Sequence, residues 1–284
     1  MSSKLNDSPD TKAGPFFKPI FIAGFHNSGT GLLAKLLRQM GVFQVVDRQA
    51  FEWGYIQDLN SSILPEWNNP EAVRRFDPHR GSFQISPLEI AEMLKEYGYN
   101  NDQPWGHKDH RTGATLGAWL EAFPQARVVH IVRDPVDVLG TLPAEYDKFT
   151  PEGKLPQKAL SFWGDLWMAY TDRILQAADK ARKFVEVKFE DLCLHPHHIL
   201  LNLAHTLNLS EGKTVDLESI QPGNVGIHRQ WILQGKLDVM SVDRLKSQLK
   251  DYRGKYGYGE TTGSKSTGDR TRESCFDRIL TSVF

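Results

Sequence analysis

Pro19-Ile20-Phe21-Ile22-Ala23-Gly24-Phe25-His26-Asn27-Ser28-Gly29-Thr30-Gly31-Leu32-Leu33 is the stretch on which the fold turns. Ile20 to Ala23 is a short apolar run between Pro19 and Gly24, and it predicts a buried strand. From Thr30 onward the period changes. Leu32, Leu33, Leu36, Leu37 and Met40 recur at helical spacing, and Gly41 supplies the stop. The small residues in between let the chain turn sharply and aim several N–H groups at one point, where the helix N-terminus adds roughly half a positive charge. Such a strand, loop and helix make an anion cradle, with phosphate the usual anion. A tight turn with no ligand has the same composition, because glycine loops are common. The Gly-x4-Gly-Lys-[Ser/Thr] pattern of nucleoside-triphosphate loops is met at Gly24 and Gly29. It fails at Thr30, where lysine belongs, and at Gly31, where a Mg²⁺-holding hydroxyl belongs.

Outward from this stretch, short apolar runs alternate with longer amphipathic ones. Val42 to Val46, Arg127 to Val132 and Phe184 to Lys188 are further strand candidates. Helices are expected over Pro87 to Tyr97, Leu116 to Phe123, Gln157 to Lys183, Pro196 to Leu207 and Asp243 to Tyr252. This alternation predicts βαβ crossovers and an α/β fold built on a mostly parallel, doubly wound sheet. Ligands of such sheets bind beyond the carboxyl ends of the strands. Phe51 to Gly81, with Trp53, Trp67 and several prolines, has no clean period and reads as an irregular insert near the site. Residues 1–14 read as a flexible N-terminal arm, 15–258 as the α/β domain, and 259–284 as a flexible tail rich in Gly, Ser and Thr. The end of that tail, Cys275 to Phe284, regains enough apolar character for a short docking helix.

Composition removes several function classes. Lys and Arg number 34 against 35 Asp and Glu, a formal net charge of -1, whereas a nucleic-acid binder normally carries a basic excess. Two cysteines, Cys193 and Cys275, cannot build a disulfide framework or a four-cysteine zinc site. No apolar run approaches bilayer length, and Met1 to Asp10 lacks the apolar core of a secretory signal. A soluble cytoplasmic protein is the expectation.

A second loop sharpens the first. The strand Arg127 to Val132 runs straight into Arg133-Asp134-Pro135-Val136-Asp137-Val138-Leu139-Gly140-Thr141. An arginine leaving a buried strand is poised for bidentate phosphate binding. Pro135 can open the next helix, with Thr141 about two turns along it. An ion pair between Arg133 and Asp134 is the plain structural alternative. Together the two segments resemble the sulfotransferase family, enzymes that use 3′-phosphoadenosine 5′-phosphosulfate (PAPS). Phe25 to Leu33 resembles the family's 5′-phosphosulfate loop, and Ile131 to Val138 its 3′-phosphate motif. Val187-Lys188-Phe189-Glu190-Asp191-Leu192 is similar to its Tyr-Glu-Asp-Leu segment, with Phe189 for tyrosine. The ordered set spans roughly Pro19 to Leu209. It implies a single P-loop-like, three-layer domain with about five strands and PAPS or its product PAP as co-substrate, with no metal. It also implies a nucleotide site of His26, Asn27, Ser28, Gly29, Thr30, Gly31, Arg133, Thr141 and Phe189, in which Arg133 and Thr141 hold the 3′-phosphate.

The chemistry needs a base for the acceptor hydroxyl and positive charge near the sulfonyl oxygens and the leaving phosphate. Sulfonyl transfer needs no bridging metal, because the moving group carries less negative charge than a phosphoryl group. Lys108-Asp109-His110 matches the family's Lys-x-His, which implies His110 as base and Lys108 as electrostatic stabiliser. Read against the Lys-Asp/Glu-Pro-Arg of bacterial relatives, the same stretch instead places His110 at the proline. His107 and Asp109 therefore remain open as bases, and a surface histidine or a helix cap is the bland reading of each. Asn27 stands where the family usually has Lys or Arg beside the leaving phosphate. His26 or Lys108 is left to compensate, and Asn27 can contribute only an amide. Gly223 to Trp231 resembles the family's late loop, with His228 and Arg229 as further phosphate contacts. Trp53, Phe162, Trp163 and Trp167 can stack adenine or line the acceptor pocket, although the i, i+4 spacing of Trp163 and Trp167 favours core packing. His195, His197 and His198 lack metal-ligand spacing and decorate a helix start. The expected reaction is sulfonyl transfer to a small-molecule or glycan hydroxyl, with no nucleic-acid partner. A P-loop kinase and a catalytically silent PAP-binding protein are the alternatives.

Overall fold

The computed structural model describes residues 16, 18–48, 51–80, 84–141, 157–209 and 213–258. The expected arm at 1–14 and tail at 259–284, with its docking helix, lie outside them. Strand β1 (Ile20–Ala23) is completely buried and leads into helix α1 (Thr30–Gln39). Then follow α2 (Gly54–Ile63), α3 (Pro70–Arg75), α4 (Pro87–Glu96), β2 (Gly106–Lys108), α5 (Thr112–Ala122) and β3 (Arg127–Val132). The remainder is α6 (Pro135–Gly140), α7 (Gln157–Ala177), β4 (Lys183–Lys188), α8 (Phe189–Leu194), α9 (Pro196–Thr206), α10 (Ile227–Leu233), α11 (Val239–Gln248) and α12 (Lys250–Lys255).

The sheet has the order β2-β1-β3-β4, and every pairing in it is parallel. Alternation along β1 sorts the core into two layers. Phe21 and Ala23 face a cluster containing Trp119 of α5 and Leu166, Trp167 and Tyr170 of α7. Ile20 and Ile22 face Leu33, Leu36 and Leu37 of α1 with Leu200 and Leu203 of α9. Helices therefore cover both faces, giving the three-layer α/β architecture. No helix among the described residues is long and apolar enough to cross a membrane.

Several expectations change. Four strands are present among the described residues rather than about five. Val42 to Val46 contributes a single parallel bridge, Phe43 to Trp105, because Phe43 donates to the Pro104 carbonyl and accepts from Gly106 at the sheet edge before the chain leaves it. The three-residue β2 was not anticipated, being too short to display alternation. The supposedly irregular insert holds α2 and α3. Asn69 caps α3 by accepting from Glu71 and Ala72, and Pro70 occupies its first turn. The long helix stops at Ala177 and tightens into a 3₁₀ turn, Ala178–Lys180. The last expected helix is two, α11 and α12, with Asp238 capping the first through the Ser241 amide. Trp53 and Trp167 are core residues, each about 1% exposed.

Candidate active site

The turns leaving β1 and β3 meet at one cavity of about 660 Å³. Its floor is the first loop. Gly29 caps α1 with φ 95°, and a Cβ there would lie 2.4 Å from the Phe189 ring, so only glycine fits. Gly24 is equally constrained, since a Cβ would sit 2.7 Å from the Ile131 carbonyl oxygen. The Leu33 amide bonds back to the Gly29 carbonyl at 3.0 Å. The amides of Thr30, Gly31 and Leu32 thus precede the helical ladder, without intrahelical partners, in residues that line the cavity. Ser28 is buried beneath them with its hydroxyl unpartnered.

Arg133 reaches this loop from β3. Its Nη1 donates to the Asn27 carbonyl at 2.9 Å and its Nη2 to the Asn224 carbonyl at 2.6 Å, while the guanidinium lies 4.4 Å from the Phe189 ring centroid. Burial lowers its pKa, opposed by nearby carboxylates led by Asp137. The alternative pairing with Asp134 is not what forms: Asp134 takes Arg253, with Nε and Nη2 donating to its two oxygens at 3.1 and 3.0 Å. Asn27 sits at φ 56°, a left-handed conformation asparagine tolerates, and its amide donates to the Thr141 hydroxyl at 2.9 Å.

The opposite end of the cavity is built by β2 and the segment before α2. The Lys108 ammonium donates to Glu52 Oε1 at 2.6 Å, and His110 Nδ1 lies 3.3 Å from the same oxygen. Burial alone would raise the Glu52 carboxyl. The hydrogen bonds from His110 and Lys108, with their charges, outweigh it and hold the pKa at about 2. His26 packs against His110 with ring centroids 4.0 Å apart and the rings tilted by 39°. Burial, and then the His110, Lys108 and Arg111 charges, push the His26 pKa well below the ordinary histidine value. The buried Nε2 atoms of both His26 and His110 have no protein partner.

The first loop, Arg133, Thr141, Phe189, Lys108 and His110 thus share one cavity, with His26, Asn27, Gly29, Thr30 and Gly31 among its walls. The remaining candidates lie elsewhere. His228 is turned to Asp137, its Nδ1 2.5 Å from Oδ1, and fastens α10 to α6 instead of lining the cavity. Arg229 is exposed and does not line it. His107 is enclosed by Phe21, Trp105 and Trp119, where burial lowers its pKa to about 3. Asp109 is fully engaged by Arg111, accepting from its amide at 2.6 Å and its guanidinium at 3.0 Å. His195, His197 and His198 are exposed at the start of α9. Among the described residues, Glu52, Asp109 and His110 bring three potential metal-ligand atoms within 4.8 Å of one another. Lys108 and Arg111 already engage the two carboxylates.

Glu52 is the residue that reading the sequence missed. The one available cue was a lone carboxylate between Phe51 and Trp53. Ser219 and Gln221, which also line the cavity, carried no signal, while Asn224 falls in the Gly223 to Trp231 stretch without having been singled out.

Residues 19–211 match the model of the Sulfotransferase family, and the chain belongs to it. No curated protein matches by sequence. Among solved structures, a sulfotransferase from Mycobacterium avium is similar at a TM-score of 0.50 and 14% identity, over 84% of this chain and 76% of that one. The sulfotransferase domain of the curacin biosynthetic pathway gives 0.50 and 16%, over 85% and 98%. A sulfotransferase from Alicyclobacillus acidocaldarius gives 0.50 and 15%, over 82% and 96%. These likenesses support the α/β fold.

Proposed function

We propose that this sulfotransferase-family protein moves a sulfonyl group from PAPS to a hydroxyl of a small-molecule or glycan acceptor by in-line displacement. The observation that carries the reading is the meeting of Arg133 with the Asn27 loop in one cavity whose far end presents Lys108, His110 and Glu52. The residues suit a doubly phosphorylated adenylate. Unladdered amides at an α1 N-terminus, a buried guanidinium and the Thr141 hydroxyl are anion donors, and the cavity volume falls in the usual ligand range.

In this reading the Thr30 to Leu32 amides and Asn27 hold the 5′-phosphosulfate, while Arg133 and Thr141 hold the 3′-phosphate, Thr141 turning its hydroxyl from the Val138 carbonyl to do so. Phe189 supports the arginine from beneath. Lys108 lies toward the transferring group, where an ammonium stabilises charge developing on the sulfonyl and bridging oxygens. His110 accepts the acceptor's proton at Nε2, the nitrogen left open by its contact with Glu52 through Nδ1. Glu52 fixes the imidazole through its contact with Nδ1. His26, held neutral, packs against that ring.

Calorimetry with PAP, with and without Mg²⁺, tests the reading. Tight, Mg²⁺-independent binding that Arg133→Ala weakens is expected, followed by turnover of labelled PAPS in an acceptor screen. Wild-type PAP affinity in Arg133→Ala would refute the site, and Mg²⁺-dependent ATP binding in place of PAP would turn the reading to a kinase.

A further inference from the structure

The turn presenting Arg133 is fastened from behind by the last described stretch of the chain, beyond the residues matched by the family model. Arg253 of α12 grips Asp134 through two hydrogen bonds, and their side chains are only 10% and 12% exposed. Asp134 also caps α6 by accepting from the Val136 amide at 3.0 Å. Its own amide donates to Glu190 Oε1 at 2.9 Å. The second Glu190 oxygen accepts the Tyr258 hydroxyl at 2.8 Å. Tyr258 returns to Arg253, its amide donating to the Arg253 carbonyl at 2.7 Å, in a helix-terminating turn that Gly257 permits at φ 74°. Arg253, Asp134, Glu190 and Tyr258 therefore close a ring of hydrogen bonds.

The ring touches the nucleotide end of the cavity at two points, because Asp134 follows Arg133 and Glu190 follows Phe189. Arg133 and Phe189 are themselves stacked. A carboxylate next to an arginine competes for its guanidinium. With Asp134 neutralised by Arg253, Arg133 is left to point at Asn27 and Asn224. We propose that Arg253 and Tyr258 are positioning residues for the 3′-phosphate, acting through Asp134 and Glu190 on Arg133 and Phe189. The proposal rests on the nucleotide reading given above.

The test uses the full-length protein and two probes that differ only in the 3′-phosphate, PAP and adenosine 5′-monophosphate, titrated by calorimetry at fixed pH and salt. Arg253→Ala is expected to lower the PAP-to-AMP affinity ratio roughly tenfold, and Tyr258→Phe roughly threefold, with AMP affinity held within about twofold. Arg253→Lys, which keeps the charge but not the fork, should restore part of the loss. A wild-type ratio in both Arg253→Ala and Tyr258→Phe would overturn the proposal. Equal losses for the two nucleotides would also overturn it and leave a packing role. If Arg253→Ala does not fold, Tyr258→Phe, which removes one hydroxyl, decides alone. Arg133→Ala separates the two levels: a wild-type ratio there sinks the nucleotide reading itself, whereas a collapsed ratio leaves the Arg253 and Tyr258 outcomes to judge the strap.

Discussion

The side-chain amide of Asn27 donates to the Thr141 hydroxyl at 2.9 Å, joining the loop after β1 to the end of α6 across 114 residues of chain. Thr141 donates its own hydroxyl hydrogen bond to the Val138 carbonyl at 2.6 Å, so it meets Asn27 as an acceptor. The position where the family usually carries a cation is thus used to tie together the loop after β1 and the end of α6.

Asn27→Ala removes that tie and leaves alanine at φ 56°. A lost hydrogen bond and left-handed strain each cost about 1 kcal/mol, so denaturant unfolding should register a loss of about 2 kcal/mol. PAP affinity should fall as well. An unchanged midpoint would show that the contact does not constrain the loops.

Gly29→Ala meets both a φ of 95° and the Phe189 ring 2.4 Å from the new Cβ. Loss of PAP binding is expected together with at least about 1–2 kcal/mol of stability, read by calorimetry and urea titration. Gly29→Ala combined with Phe189→Ala should relieve the clash but not the backbone strain, and so recover only part.

Glu52→Gln keeps the shape but removes the charge facing Lys108 and His110. Turnover should fall by ~10²-fold or more with little change in PAP affinity. The Glu52 carboxyl is held down at about 2, below its ordinary 4.5. Its stabilising contribution is therefore complete above about pH 4.5 and fades as pH falls toward 2. Wild type and Glu52→Gln should differ most in stability near neutrality and converge on acidification. A gap that widens below pH 4 would contradict the ion pair.

Two histidines act in the same direction over a higher pH window. His107 has its pKa lowered to about 3 by burial, and His26 is lowered by burial and by neighbouring positive charge. Once unfolded, each takes up a proton near pH 6.5 that the native state refuses, so stability is lost as pH falls below that value. Imidazole NMR should find both rings neutral at pH 6. A His26 that titrates at the ordinary value would remove the charge crowding argued at that end of the cavity.

Much of this protein was legible in its sequence because the relevant signals are local. The apolar run Ile20 to Ala23, the leucine period of α1 and the Arg127 to Val132 strand declare a parallel α/β sheet, since periodicity reflects which face of each element is buried. Gly29 announced the sharp turn, and Arg133 its place after a strand. The insert around α2 and α3 was not legible because α3 is only six residues long and α2 opens at Trp53 and Gly54 with no side-chain cap to mark its start. The β2 strand could not be read because three residues cannot alternate recognisably.

Sequence alone determined that two buried strands run into two loops, one glycine-rich and one opening on an arginine, since each loop is specified by its own residues and immediate neighbours. Only the tertiary structure decided that Glu52 would meet Lys108 across 56 residues, that His228 would turn to Asp137, and that Asp134 would take Arg253 instead of Arg133. Charges choose partners by distance in the folded chain, and burial makes those choices binding. The order of residues along the chain carries no record of that distance until the sheet and its covering helices have formed.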